Sequence, residues 1–310
     1  MRLRAALARG LCMMAPLVLV GCGGSGSGAS SDGTDPGGGS TLEELWRAPG
    51  DDVAVIPGTS SFEPGRVRVA FLVLDAEGEP VTLPTARFWL ARGLENEPFL
   101  ESTAELERIG VPGGAAVDAT HIYVAHVPIA TAGTYWYLAE PEGGPNPVQA
   151  LGNIVVEESI AAPAVGNPAP ASKTPTLHSV GGKASKVTTR VPPDLTLVEH
   201  SVAETLRDGL PFVVTFSTPE FCASRVCGPV VDVVEETSRR FEATEIRFIH
   251  VEVYEDNDPA KGYNRWMQEW GLATEPWTFV VDAEGKISAR FEGLVSVHEL
   301  EEAARAVAPS

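Results

Sequence analysis

The sequence is short of positive charge. Its 310 residues hold 23 Lys and Arg against 42 Asp and Glu, a formal net charge of −19. Loss of an N-terminal segment carrying Arg2, Arg4 and Arg9 would take this to −22, by removing three positive charges. Nothing basic is then left to hold phosphates, so no nucleic-acid partner is expected. The acidity itself reads as solvated surface rather than as a sign of a basic partner. Long hydrophobic runs are also missing, since Leu11–Val20 is too short to cross a bilayer as a permanent helix. Cysteine is scarce: Cys12, Cys22, Cys222 and Cys227 are the four in the chain. No cofactor motif stands out, and none is expected to be bound.

What is present at the N-terminus is a charged start, the short apolar core and then Leu19-Val20-Gly21-Cys22. This resembles the bacterial lipobox, Leu-x-Gly-Cys, whose cysteine is lipidated and becomes the first residue. The resemblance implies a signal peptide over residues 1–21 and a lipid on Cys22. That lipid would hold the protein in the cell envelope, on the outer face of the cytoplasmic membrane. Cys12 would leave with the signal. Cys222 and Cys227 would remain as the two free sulfurs, in an oxidising compartment. Residues 22–50 begin with a tract of Gly, Ser, Thr and Asp that cannot bury enough apolar surface to order itself, so they are expected to form a flexible tether.

Residues 51–159 carry short apolar segments, among them Val67–Leu74, Ala86–Leu90, His121–Val127, Thr134–Leu138 and Asn153–Val156, separated by Gly and Pro turns. A helical period is visible only over Ser102–Ile109. The pattern predicts an all-β antiparallel sandwich. Thr131-Ala132-Gly133-Thr134-Tyr135-Trp136-Tyr137 resembles the tyrosine corner of immunoglobulin-like domains. Tyr135 and Trp136 are expected to pack rather than to form a ligand cage. His121 and His126 have no acidic or thiol neighbour at ligand spacing and are expected to be ordinary strand histidines. Residues 160–176, rich in Pro and Ala, read as a stiff linker.

The second domain, residues 177–310, is irregular as far as Leu197. Beyond it the expected elements are a helix ending at Gly209, a strand Phe212–Phe216, a helix Val230–Phe241 and a strand Ile246–Val253. A helix Lys261–Trp270, strands Trp277–Asp282 and Ile287–Phe291, and a closing helix Val297–Val307 complete the order β-α-β-α-β-β-α. The stretch Pro211–Glu236 organises the chain. A buried strand delivers a loop with Cys222 and then Cys227-Gly228-Pro229 at the start of a helix. Pro229 suits the first helical turn. The helix end is expected to favour a thiolate on Cys227, and Arg225 would add positive charge.

Cys227-Gly228-Pro229 resembles the Cys-Gly-Pro of the thioredoxin active site. Glu275-Pro276-Trp277-Thr278-Phe279 resembles the segment whose cis-proline faces that site. Val281-Asp282-Ala283-Glu284-Gly285-Lys286-Ile287 is close to the hairpin of the extracytoplasmic TlpA-like branch. The resemblance covers about Leu197 to Ala308. It implies a multidomain protein, an all-β immunoglobulin-like sandwich followed by an α/β thioredoxin-like domain. Cys227 would be the attacking thiol and Pro276 the facing proline. The departures are as informative. Val230 stands where thioredoxins carry the second cysteine, the second sulfur lies upstream at Cys222, and Thr215 falls near the position of the family's buried acid.

Three functions stay open at this point. Cys222 and Cys227 can cycle as a catalytic disulfide with extracytoplasmic proteins that carry thiols or disulfides. They can form a structural disulfide on a redox-inert binding module. Or they can belong to a copper-delivery site completed by a distant histidine, with His250 or His298 as candidates.

Overall fold

In the computed structural model the described residues are 39–51, 53–114, 119–222 and 227–309. The expected signal segment, Cys22, nearly all of the Gly/Ser tract and Arg225 lie outside them. Residues 39–310 form one compact unit.

The tether expected to reach residue 50 stops sooner. Leu42–Trp46 is a short helix, α1, with a capping box formed by Thr41 and Glu44. Leu42 is fully buried against Trp89, Ala91 and Leu138. One well-placed cap and one buried leucine order a segment whose upstream composition suggested none.

Seven strands follow: β1 (Ala54–Pro57), β2 (Gly65–Leu74), β3 (Thr85–Ala91), β4 (Leu100–Arg108), β5 (His121–Ile129), β6 (Gly133–Pro141) and β7 (Ala150–Val156). All pair antiparallel in the order β1-β2-β5-β4-β3-β6-β7. Lettered A to G along the chain, that order reads A-B-E-D and then C-F-G, the two layers of a seven-strand Greek-key sandwich. The β3–β4 hairpin joins the layers into one large sheet. Phe71 of β2 meets Phe88 of β3 and Tyr137 of β6 between the layers, with ring centroids 6.0 and 5.4 Å apart, and Tyr123 of β5 stacks on Phe71 at 5.6 Å. The Tyr135 hydroxyl donates to the Thr131 carbonyl at 2.7 Å, so the corner read in the sequence is formed. The helical period over Ser102–Ile109 is overruled. All of this stretch but Ile109 lies in β4, paired to β3 as far as Glu105 and to β5 from Ala104 onwards. Local propensity yields to two rows of strand hydrogen bonds.

In the second half, α2 (Val202–Asp208) ends on Gly209, which takes the left-handed conformation (φ 66°) that a helix stop requires. Then come β8 (Phe212–Phe216), α3 (Cys227–Arg239), β9 (Arg247–Val251), α4 (Arg265–Glu269), β10 (Trp277–Val281), β11 (Ile287–Glu292) and α5 (Val297–Arg305). The element order matches the one read from the sequence. The sheet order is β11-β10-β8-β9, with β8 and β9 parallel and the other pairs antiparallel. Every residue of β8 and β10 is buried, as central strands covered on both faces must be.

Residues 160–176 do not stand clear of the folded body. The Ile287 amide donates to the Asn167 carbonyl and the Ala169 amide to Gly285, which lays the segment along the β11 edge. Ala162 and Ala169 are buried in the second core. The Pro/Ala composition that suggested a free spacer suits an edge-covering segment equally well, because such a segment needs few amide donors.

The two halves share a core. Ala70, Ile122 and Val124, on the outer face of the first sheet, pack in one cluster with Val231 and Val234 of α3 and Leu300 of α5. A buried ion pair joins them: Arg68 Nε and Nη2 donate to Glu299 at 2.6 and 2.9 Å, and Nη2 also donates to the Leu294 carbonyl at 2.8 Å. Ser60 donates to Glu292 through its amide (2.6 Å) and hydroxyl (2.7 Å). At Gly293, φ is 74° and a Cβ would lie 2.1 Å from the Gly58 carbonyl oxygen, so only glycine lets the two chains approach there.

Candidate functional site

Beyond β8 the chain turns through Ser217 and Thr218, both buried, towards Cys222, and re-enters helix at Cys227. The Ser217 amide donates to Val251, and His250 Nε2 hydrogen-bonds the Ser217 carbonyl at 3.0 Å. The Ser217 hydroxyl donates to the Cys227 carbonyl at 3.0 Å. The strand end and the helix start are thereby fixed to one another.

The sulfurs of the two cysteines lie within 4.8 Å of one another. Their environments differ. Cys227 is completely buried and Cys222 is partly exposed. The amide of Cys227, the first of α3, donates to Cys222 Sγ at 3.3 Å. The helix-end donor expected to favour a Cys227 thiolate thus serves the other sulfur. The hydrogen bond with Cys222, burial, and the charge of Cys222 together push the Cys227 thiol well up from its ordinary range, against weaker help from Thr218 and Ser217. This corrects the expectation from the sequence. The first amide described in α3, that of Cys227, points at Cys222 and not at its own sulfur.

A carboxyl that sequence reasoning passed over completes the cluster. Donor atoms of Cys222, Cys227 and Glu275 all lie within 4.8 Å of one another. Glu275 precedes Pro276, the proline singled out from the sequence, and the peptide bond between them is cis. Burial and the charge of Cys222 push the Glu275 carboxyl up. The Tyr263 hydroxyl, donating to Glu275 Oε2 at 2.5 Å, opposes them. Tyr254 stacks on Tyr263 with centroids 5.5 Å apart. The clue in the sequence was the acid in Glu275-Pro276, beside the proline already marked. Thr215 does not titrate. Its hydroxyl is buried, accepts from Thr278 at 3.0 Å and donates to the Trp277 carbonyl at 3.3 Å.

The candidate histidines are engaged elsewhere. His250 is tied to Ser217, and His298 lies against Glu107 of β4 at 3.0 Å. Among the described residues, the one grouping of three metal-ligating side chains is Cys222, Cys227 and Glu275, without a histidine. Beside the cysteine loop runs a cleft of about 370 Å³, walled by Thr189, Arg190, Glu220, Phe221 and Asn257. Its Thr189 wall is anchored by buried Glu252, whose Oε1 accepts from the Thr189 amide (2.6 Å) and hydroxyl (2.7 Å).

No protein-family model and no curated protein matches the chain. Among solved structures it is similar to a thiol:disulfide interchange protein of the thioredoxin family from Chlorobium tepidum TLS. The identity is 16%, over 47% of this chain and 99% of that one, with a TM-score of 0.33. It is also similar to the PKD domain of the human VPS10 domain-containing receptor SorCS2, at 15% identity over 44% of this chain and 96% of that one, with a TM-score of 0.20. Both TM-scores are low, and the chemistry of the site rests on its own geometry.

Proposed function

We propose that this chain is a thioredoxin-like protein of the cell envelope, anchored by lipid on Cys22, that exchanges thiols and disulfides with extracytoplasmic proteins through Cys222 and Cys227. The observation that carries the reading is the asymmetry of the pair, one partly exposed sulfur receiving a helix-end N–H and one buried sulfur in contact with it. A structural disulfide needs no such division.

The division assigns roles. Cys222 attacks as thiolate: its sulfur bonds to one sulfur of a partner disulfide, and the other partner sulfur leaves as thiolate. Cys227 then gives up its proton, with the Glu275 carboxylate, within 4.8 Å, as acceptor, and attacks Cys222 Sγ. The mixed disulfide breaks, the Cys222–Cys227 bond forms, and the second partner thiolate leaves and takes up a proton. Two electrons have passed from the protein dithiol to the partner disulfide, and the reverse sequence oxidises a partner dithiol. Packing of the first sheet on α3 and α5 supports a role for the β-sandwich as a rigid mount for the helix that carries Cys227.

The test is trapping. A Cys227→Ser variant is expected to accumulate mixed disulfides through Cys222, and Cys222→Ser to trap none. The pair should be reducible at potentials of known exchange proteins, above the roughly −300 mV below which structural disulfides lie. Failure of both variants to trap, with a pair that resists reduction, would leave a redox-inert binding module with a structural disulfide.

A further inference from the structure

Two thiols and a carboxyl held together by separate elements are also a ligand set. Cys222 comes from the loop after β8, Cys227 from the first turn of α3, and Glu275 from the turn before β10, with all three donor atoms within 4.8 Å. Zinc takes Cys sulfur at about 2.3 Å and carboxylate oxygen at about 2.0–2.2 Å in a tetrahedron. The set has three protein donors, and Cys222 and Glu275 are partly open to solvent, which leaves the fourth position to water.

We propose that the reduced protein binds a divalent ion of the zinc class through Cys222 Sγ, Cys227 Sγ and a carboxylate oxygen of Glu275, and that oxidation of the two cysteines releases it.

The donor types choose the ion. Two thiolates favour a soft or borderline metal and exclude magnesium or calcium, while the carboxylate oxygen favours zinc over monovalent copper. The support around the donors is of the kind metal sites use. The Tyr263 hydroxyl donates to Glu275 Oε2 at 2.5 Å and so orients the carboxylate, and Tyr263 is in turn stacked on Tyr254. The Cys227 amide orients Cys222 Sγ.

Release follows from electron counting. When a partner protein disulfide accepts two electrons from the dithiolate, the Cys222–Cys227 bond forms and the partner leaves as two thiolates. One carboxylate then remains, which cannot hold the ion. The binding site goes beyond the exchange reading and does not depend on it, whereas release by a partner disulfide rests on that reading.

The experiment uses the full chain, reduced and stripped with a chelator, titrated with Zn²⁺ against a competing indicator and with Co²⁺ by absorbance. One ion per chain is expected, with a thiolate-to-cobalt charge-transfer band. Cys222→Ser and Cys227→Ser should lose that band. Glu275→Gln, close to isosteric, should weaken Zn²⁺ binding by at least about tenfold, and Tyr263→Phe should weaken it by a smaller factor. Equal thermal stability of the stripped variants checks that they fold. Added disulfide should release the bound ion in step with thiol loss. Absence of binding by the reduced chain, or wild-type affinity in Glu275→Gln, overturns the proposal. Mixed-disulfide trapping is read separately, so loss of exchange with Zn²⁺ binding intact would sink the exchange reading and the release that rests on it, and leave the metal site standing.

Discussion

Replacing Arg68 by Ala tests whether the sandwich and the second half unfold as one body. Arg68 and Glu299 are 11% and 10% exposed, and the guanidinium makes three hydrogen bonds, two to Glu299 and one to the Leu294 carbonyl. Burial pushes the Glu299 carboxyl up, but the Arg68 charge and hydrogen bond, the Ser296 amide and His126 outweigh it and hold the carboxyl below the ordinary carboxylate range. Truncating Arg68 leaves that carboxylate buried with only the Ser296 amide, 3.1 Å away, still donating to it. Breaking a buried pair from one side costs about 3–5 kcal/mol, whereas an exposed pair is worth at most about 1 kcal/mol. The double variant Arg68→Met/Glu299→Leu removes both charges and should recover most of the loss. The assay is urea unfolding followed by tryptophan fluorescence and far-UV circular dichroism. Trp89 and Trp136 report the sandwich, and Trp270 and Trp277 the second half. One coincident transition should move to lower urea with its slope unchanged. A loss under about 1 kcal/mol, or two transitions of which only one moves, would refute the shared core as the source of stability.

The remaining predictions are narrower. Cys227→Ser should trap partner proteins and Cys222→Ser should not, read on non-reducing gels; the opposite pattern would return the attacking role to Cys227. Cys22→Ser should release the protein from the membrane fraction or stall its processing, and unchanged fractionation would remove the lipid anchor. The hydrogen bond and charge of Glu107 raise the His298 pKa above its ordinary 6.5. The pair therefore stabilises the fold fully below that pH and loses its effect as pH rises through the raised value. A thermal-stability profile of His298→Gln should fall below wild type on the acid side and merge with it on the alkaline side. Gly293→Ala should destabilise the contact with Gly58, seen as a lower melting temperature, because neither the positive φ nor the 2.1 Å approach tolerates a Cβ.

Much of this protein is written in local sequence. Runs such as Phe212–Phe216 and Trp277–Val281 become buried central strands because five consecutive apolar or β-branched residues suit a strand covered on both faces. Gly209 ends a helix, and the Thr131–Tyr135 spacing forms a corner, since each depends on a few adjacent residues. Other features were decided only by residues far apart in the chain. Ser102–Ile109 follows its neighbours β3 and β5 rather than its own period. The Pro/Ala segment packs because β11 offers it an edge, 120 residues away in sequence in the Asn167–Ile287 contact. Cys222 and Cys227 were visible as a pair, but which sulfur is exposed and which receives the helix amide depends on how α3 starts, and no spacing rule states that. Glu275 reaches the sulfurs only because β10 pairs with β8, which carries the acid's turn to the loop bearing the cysteines. Chemistry resident in single residues could be read from the order of the chain. Chemistry made by proximity across the sheet required the sheet.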